Sequence, residues 1–207
     1  REVVQCKGSD TVVNLAQSWA EVFEASQSQY SVAVSGGGSG TGIAALVAGT
    51  ADIATSSRAL VAEEIDDAIR RRGAAPEVRV VARDALSIFV HPDNPLEGLS
   101  FDELACIYGD LHQGGDLDER GGCEHWSDVR GVVVPGCADN RIVRVSRQSN
   151  SGTAQYFREA VVGPHRDLRL GSLDLNGSSE AVQLVAHTPC AIGYVGLGYL
   201  EPSVRAL

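Results

Sequence analysis

Three short runs of Gly, Ser and Thr stand where a strand signal gives way to a helix signal: Gly8–Thr11, Ser35–Gly42 and Ser149–Thr153. The first four N–H groups of a helix have no internal partner, and the helix dipole leaves that end partly positive. Glycine lets an oxyanion approach the backbone, and the hydroxyls add donors. Three such ends at the carboxyl edge of parallel strands would form an anion site. Arg147, just before the third run, adds a planar fork of donors suited to two oxygens at once. One turn of this kind is an ordinary helix cap; three, with an arginine, point to an anion.

Other chemistries fit the residues less well. The run Ser35–Gly42 lacks the lysine of a P-loop, and no G-x-G-x-x-G occurs, so a nucleotide triphosphatase is not expected. A serine nucleophile elbow needs G-x-S-x-G, whereas Gly37-Gly38-Ser39-Gly40-Thr41 closes on Thr. His112 and His125 flank an acidic loop with Asp116 and Asp118, but not at ligand spacing, so neither metal nor cofactor is expected. Arg58 reads as a solvated loop charge within reach of an anion. The five cysteines, Cys6, Cys106, Cys123, Cys137 and Cys190, contain no C-x-x-C pair. One or two disulfides would suit an oxidising compartment and leave one thiol over.

The elements that must position these turns alternate. Glu2–Cys6, Ser31–Val34 and Asp52–Ala54 read as strands. Helical spacing covers Val12–Phe23, Ile43–Ala48 and Glu63–Arg72, the last with acids first and bases last. Val78–Val90 is a long β-rich run able to carry the chain from one lobe to another. Helix Phe101–Tyr108 precedes a loop, Gly109–Arg130, which Trp126 is expected to anchor. Strand Arg141–Ser146, helix Ala154–Val162, a helix capped by Ser178 or Ser179 and running through Val185, and strand Ala191–Val195 complete the pattern. Strands alternating with helices predict an α/β fold with a largely parallel sheet.

Composition bounds the partners. The chain has 207 residues, 43% hydrophobic and 21% charged, as globular proteins do. No apolar stretch reaches the roughly 18 residues of a membrane helix. A net charge of −10 argues against nucleic acid or an anionic membrane surface. That charge does not oppose a backbone-built anion site, because exposed acids beyond ~10 Å are screened. The sequence contains no Met and begins at Arg1, so a mature or trimmed product is expected.

Six motifs in order carry a resemblance: Gly8-Ser9-Asp10-Thr11, Ser35 through Gly42, Ala51 through Arg58, Asp84 through Pro95, Arg147-x-x-x-Ser151-Gly152-Thr153, and Thr188 through Val195. Together they make the chain similar to the extracytoplasmic phosphate-binding proteins of bacterial phosphate ABC transporters, over nearly its whole length. The resemblance implies a two-lobed periplasmic-binding-protein-like (type II) fold with a ligand cleft between the lobes. Residues 1–85 plus 196–207 would form lobe 1, and 86–195 lobe 2. It implies phosphate binding by Thr11, the N–H of Val12, Ser39, Ser57, Arg147, Ser151, Gly152 and Thr153. Where the family often has an Asp that accepts the proton of hydrogen phosphate, this sequence has Ser57; where it often has an acid two residues after the arginine, Ser149 stands. Asp10 is a nearby acid that reads as a helix cap. The implied protein does no chemistry: a periplasmic or extracellular monomer, freed of a targeting segment, hands inorganic phosphate to a membrane permease. The other readings are a receptor or sensor for sulfate, arsenate or molybdate, and an enzyme acting on phosphate esters.

Overall fold

The computed structural model describes residues 1–110 and 122–207. Its contacts divide it into two compact units: Arg1–Arg83 with Gln148–Thr153, and Asp84–Arg147 with Ala154–Leu207.

Unit 1 is built on three parallel strands, β1 (Glu2–Gly8), β2 (Tyr30–Ser35) and β3 (Ile53–Thr55), in the order β2-β1-β3. The connections are helices, as parallel pairing demands: α1 (Val13–Ser26) and α2 (Ser39–Ala48), with α3 (Ala62–Arg72) following β3. The buried cluster is small: Ile43 and Val47 of α2 meet Ala68 of α3, with Ala54 and Leu60 against them. Beside it lies an apolar groove of about 910 Å³, lined by Cys6, Ala16, Trp19, Phe23, Val47 and Ile53 among others.

Unit 2 holds five strands in the order β6-β5-β7-β4-β8: β4 (Leu86–Val90), β5 (Val143–Arg147), β6 (Leu173–Leu175), β7 (Ala191–Gly196) and β8 (Arg205–Ala206). β5 runs parallel to β6 and β7, whereas β4 runs antiparallel to β7 and to β8. Strand alternation sends successive side chains to opposite faces. Val90, Ile192 and Tyr194 therefore join one cluster with Leu104, Ile107 and Tyr108 of α4 (Phe101–Tyr108), Phe157 of α5 (Gly152–Val162), and Trp126. Phe89, Val145 and Val195 join the other with Val182 and Val185 of α6 (Ser178–Ala186). With both faces covered, all six residues of β7 are buried. Trp126 anchors its segment as expected: it is 0% exposed, and its Nε1–H donates to the Cys190 carbonyl at 3.0 Å. Disulfides join Cys106 to Cys123 and Cys137 to Cys190, and Cys6 is the remaining thiol, its pKa pushed up by burial.

Two expectations change, and one strand, β6, has no counterpart in the sequence reading. The run Val78–Val90 yields a strand only from Leu86: no ladder is formed by residues 78–85, and Val80 is 85% exposed. Valine favours a strand only where a neighbouring strand supplies the pairing. The stretch 196–207, expected with the first lobe, falls in unit 2, because β8 pairs with β4 through Phe89↔Ala206 and Val90↔Arg205. β6 carries too few residues to show a period, and the free edge of β5 recruits it. No helix among the described residues is long and apolar enough to cross a membrane.

Candidate functional site

The three Gly/Ser/Thr turns meet within unit 1. β1 ends at Gly8, and the Ser9 N–H donates to the Thr55 carbonyl at the end of β3, 2.9 Å away. The Gly38 N–H donates to the Gly8 carbonyl at 3.0 Å, which seats the start of α2 beside β1. α2 approaches so closely that a Cβ on Gly42 would stand 2.3 Å from the Lys7 carbonyl oxygen. Only a residue without a side chain fits there.

This arrangement stacks three hydroxyls. Ser9 Oγ donates to Ser57 Oγ at 3.0 Å, Ser57 Oγ lies 3.3 Å from Ser39 Oγ, and the Ser57 N–H donates to Ser39 Oγ at 3.1 Å. Ser9 and Ser39 are 2% and 0% exposed. The third run closes over them. Gly40 N–H donates to the Asn150 carbonyl at 3.1 Å, and Asn150 Nδ2 donates to the Gly37 carbonyl (2.9 Å) and to Thr41 Oγ1 (3.1 Å). Thr11 and Thr153 share a hydroxyl hydrogen bond of 2.8 Å. Gly152 sits over the serines: a Cβ there would lie 2.6 Å from both Ser39 Oγ and Ser57 Oγ. Ser151 and Thr153 are buried with it. Thr11, Ser39, Ser57, Ser151, Gly152 and Thr153 are thus brought together, with Ser9 and Asn150 beyond the expected set. Each hydroxyl carries one proton and can turn it from a neighbour to an anionic oxygen.

The remaining expected residues are placed differently. The Val12 N–H donates to the Ser9 carbonyl at 3.1 Å, since the first turn tightens before α1 begins. Arg147 ends β5 in unit 2, 2% exposed, and holds the β6–α6 connection. Its Nη1 donates to Ser178 Oγ (2.6 Å), its Nε to the Leu175 carbonyl (3.2 Å), and its Nη2 to the Asn176 carbonyl. Arg58 is not a solvated charge. It is held bidentate by Glu64 at 2.6 and 2.8 Å, and its hydrogen bonds pull the Glu64 carboxyl below its ordinary range against the opposing effect of burial. Asp10 Oδ1 accepts from the Gly37 N–H at 2.9 Å and ties the first turn to the second.

His112, Asp116 and Asp118 lie outside the described residues. Cys137 and Cys190 come close to Asp139, but their sulfurs are bonded to each other and offer no thiolate to a metal.

Parallel strand–turn–helix units with hydroxyl-lined turns at the strand ends place the chain in the α/β class. The model of the PBP superfamily domain matches residues 1–205, and the chain belongs to the periplasmic-binding-protein superfamily. It is 32% identical over 200 residues to a protein of Pseudomonas aeruginosa named phosphate-binding protein PstS, covering 97% of this chain and 60% of that one. The chain thus spans about three fifths of the length of that curated relative. Among solved structures, it is similar to a phosphate ABC transporter substrate-binding protein from Clostridium perfringens with bound phosphate. The TM-score is 0.78 at 26% identity, covering 100% of this chain and 75% of the other. An ABC-type phosphate transport receptor from Vibrio cholerae gives 0.66 at 27% identity, covering 99% of this chain and 75% of that one.

Proposed function

We propose that this protein is a solute receptor that captures inorganic phosphate and delivers it, chemically unchanged, to the permease of an ABC transporter, working in the periplasm or at the cell surface. The observation that carries this reading is the hydroxyl cradle of unit 1. Ser9, Ser57 and Ser39 form a hydrogen-bonded chain whose two ends are buried, Thr11 and Thr153 pair beside it, and Gly152 leaves the space a Cβ would fill. Donors on several sides suit a tetrahedral oxyanion. The Pseudomonas relative and both solved structures are named for the same ligand, phosphate.

A broader oxyanion receptor is the second reading, and Ser57 favours it. A carboxylate at that position would accept the proton of hydrogen phosphate and repel fully ionised sulfate; a hydroxyl donates to either anion. Calorimetric titration of phosphate, then sulfate, into protein freed of anion separates the two at pH 5 and pH 8. Tight phosphate binding with weak sulfate binding supports the phosphate receptor. Comparable affinities support the broader one. Heat from neither anion refutes both.

A further inference from the structure

Unit 2 contains a second group of buried donors, unconnected with the hydroxyl cradle. Arg144 of β5 is 6% exposed, an unusual position for a guanidinium. Register places its neighbours: Val145 lies opposite Leu173 of β6, so Arg144 faces Ser172 one step earlier, and paired residues project to the same side. Arg169 approaches from another direction. Its N–H donates to the Tyr108 carbonyl at 2.8 Å, and Gly122 packs against its guanidinium. Between the two arginines stands one carboxylate, Glu124. It accepts from Arg169 Nη2 and lies 3.6 Å from Arg144 Nη1, an ion pair without a hydrogen bond.

The charges and donors do not balance. Among the described residues, two guanidinium groups share one carboxylate, which leaves one positive charge in excess. Arg144 Nε and Nη1, Arg169 Nη1 and Ser172 Oγ are all buried without a hydrogen-bond partner, as is one acceptor, Glu124 Oε2, 3.6 Å from Arg144 Nη1; the unpartnered donors outnumber it. Burial and the second arginine both destabilise the charged form of Arg144, and Glu124 only partly offsets them. An uncompensated buried charge is strongly unfavourable, and so is a buried donor without an acceptor. One monovalent anion accepting from these groups would correct both.

We infer that Arg144, Arg169 and Ser172 form a binding site for a small monovalent anion of halide size, which completes the polar network of unit 2. Guanidinium N–H groups supply fixed donors, and the Ser172 hydroxyl turns toward whatever it meets. Glu124 sets the charge: with one carboxylate present, one negative charge is needed and two are not.

The test is thermal unfolding in sodium chloride, sodium bromide and sodium gluconate at matched ionic strength. Chloride and bromide should raise Tm, by about 3–5 °C for each tenfold rise above the dissociation constant, while gluconate does not. Arg169→Gln and Ser172→Ala should abolish or weaken that dependence. Both avoid the deeply buried Arg144, whose loss risks unfolding. Ser39→Ala, in the other unit, should retain it. Equal Tm in chloride and gluconate overturns the site. So does a chloride effect that survives Arg169→Gln and Ser172→Ala, or one that disappears in Ser39→Ala.

Discussion

Gly152→Ala tests the hydroxyl cradle at its tightest point. The new Cβ would stand 2.6 Å from Ser39 Oγ, 2.6 Å from Ser57 Oγ and 3.2 Å from Arg58 Cγ. Carbon and oxygen approach without strain at about 3.3–3.6 Å, so each hydroxyl must retreat by roughly 0.7 Å or more. Ser39 has no room to yield: it is 0% exposed, and swinging its Oγ away breaks the bond from the Ser57 N–H. Overpacking of this size costs about 1–3 kcal/mol. Against it, Ala restricts the unfolded chain and restores about 0.4–1 kcal/mol. The net loss of stability should lie between about 0 and 2.6 kcal/mol if the strain is expressed in the anion-free protein. If the hydroxyls relax there and are drawn back by the ligand, the steric cost appears in affinity instead, about 5- to 150-fold weaker phosphate binding. Thermal unfolding without anion reads the first share, and calorimetry with phosphate reads the second. Gly98→Ala is the control, because a Cβ there meets nothing within 4 Å. A Gly152→Ala protein that matches wild type in both measurements would refute the cradle.

Two further outcomes are expected. Replacing both Cys137 and Cys190 by Ala opens a link across 53 residues and should lower stability by about 4 kcal/mol; the Cys106–Cys123 pair spans 17 and should cost about 3 kcal/mol. Equal losses in denaturant titrations of the two double variants would contradict the loop-entropy account. Glu64→Gln should cost about 1–3 kcal/mol at pH 7, because Arg58 loses a charged partner. Since Arg58 lowers the folded-state pKa of Glu64 below its ordinary value of 4.5, the stabilisation is complete above that pH and disappears as pH falls through the folded value. Melting curves of variant and wild type should therefore converge in acid. A constant gap down to the lowest pH would show that the charge is not what matters.

The turns were readable from sequence because their physics is local. Gly, Ser and Thr at a strand end require no distant partner to mark a helix start, and the family resemblance then pointed to Thr11, Ser39 and Thr153 within those runs. What was not readable depended on partners far along the chain. The hydroxyl bond between Thr11 and Thr153 spans 142 positions, and only the fold brings them together. Val78, Val80 and Val81 have strand propensity, yet no paired edge receives them, so propensity goes unused. Arg58 looked solvated because its partner Glu64 sits among helix charges that read as a surface face. Arg144 occupied a predicted strand, but nothing in its neighbours signalled that Glu124 and Arg169 would meet it. Ser9 was within reach: it lies in the same turn as Thr11 and differs only in being buried.

The assignment of Gln148–Thr153 to unit 1 also bears on the order in which the protein is made. Strands β1 to β3 and their helices leave the ribosome first, but the residues that close over Ser39 and Ser57 follow only after the whole of Asp84–Arg147. At ~5–20 residues per second, several seconds separate the two events. During that interval, unit 1 has its sheet but not Ser151, Gly152 or Thr153. A nascent chain stopped before Thr153 would therefore be silent to any anion that the finished cradle holds, and ligand-dependent protection from proteolysis would mark only chains completed through that residue.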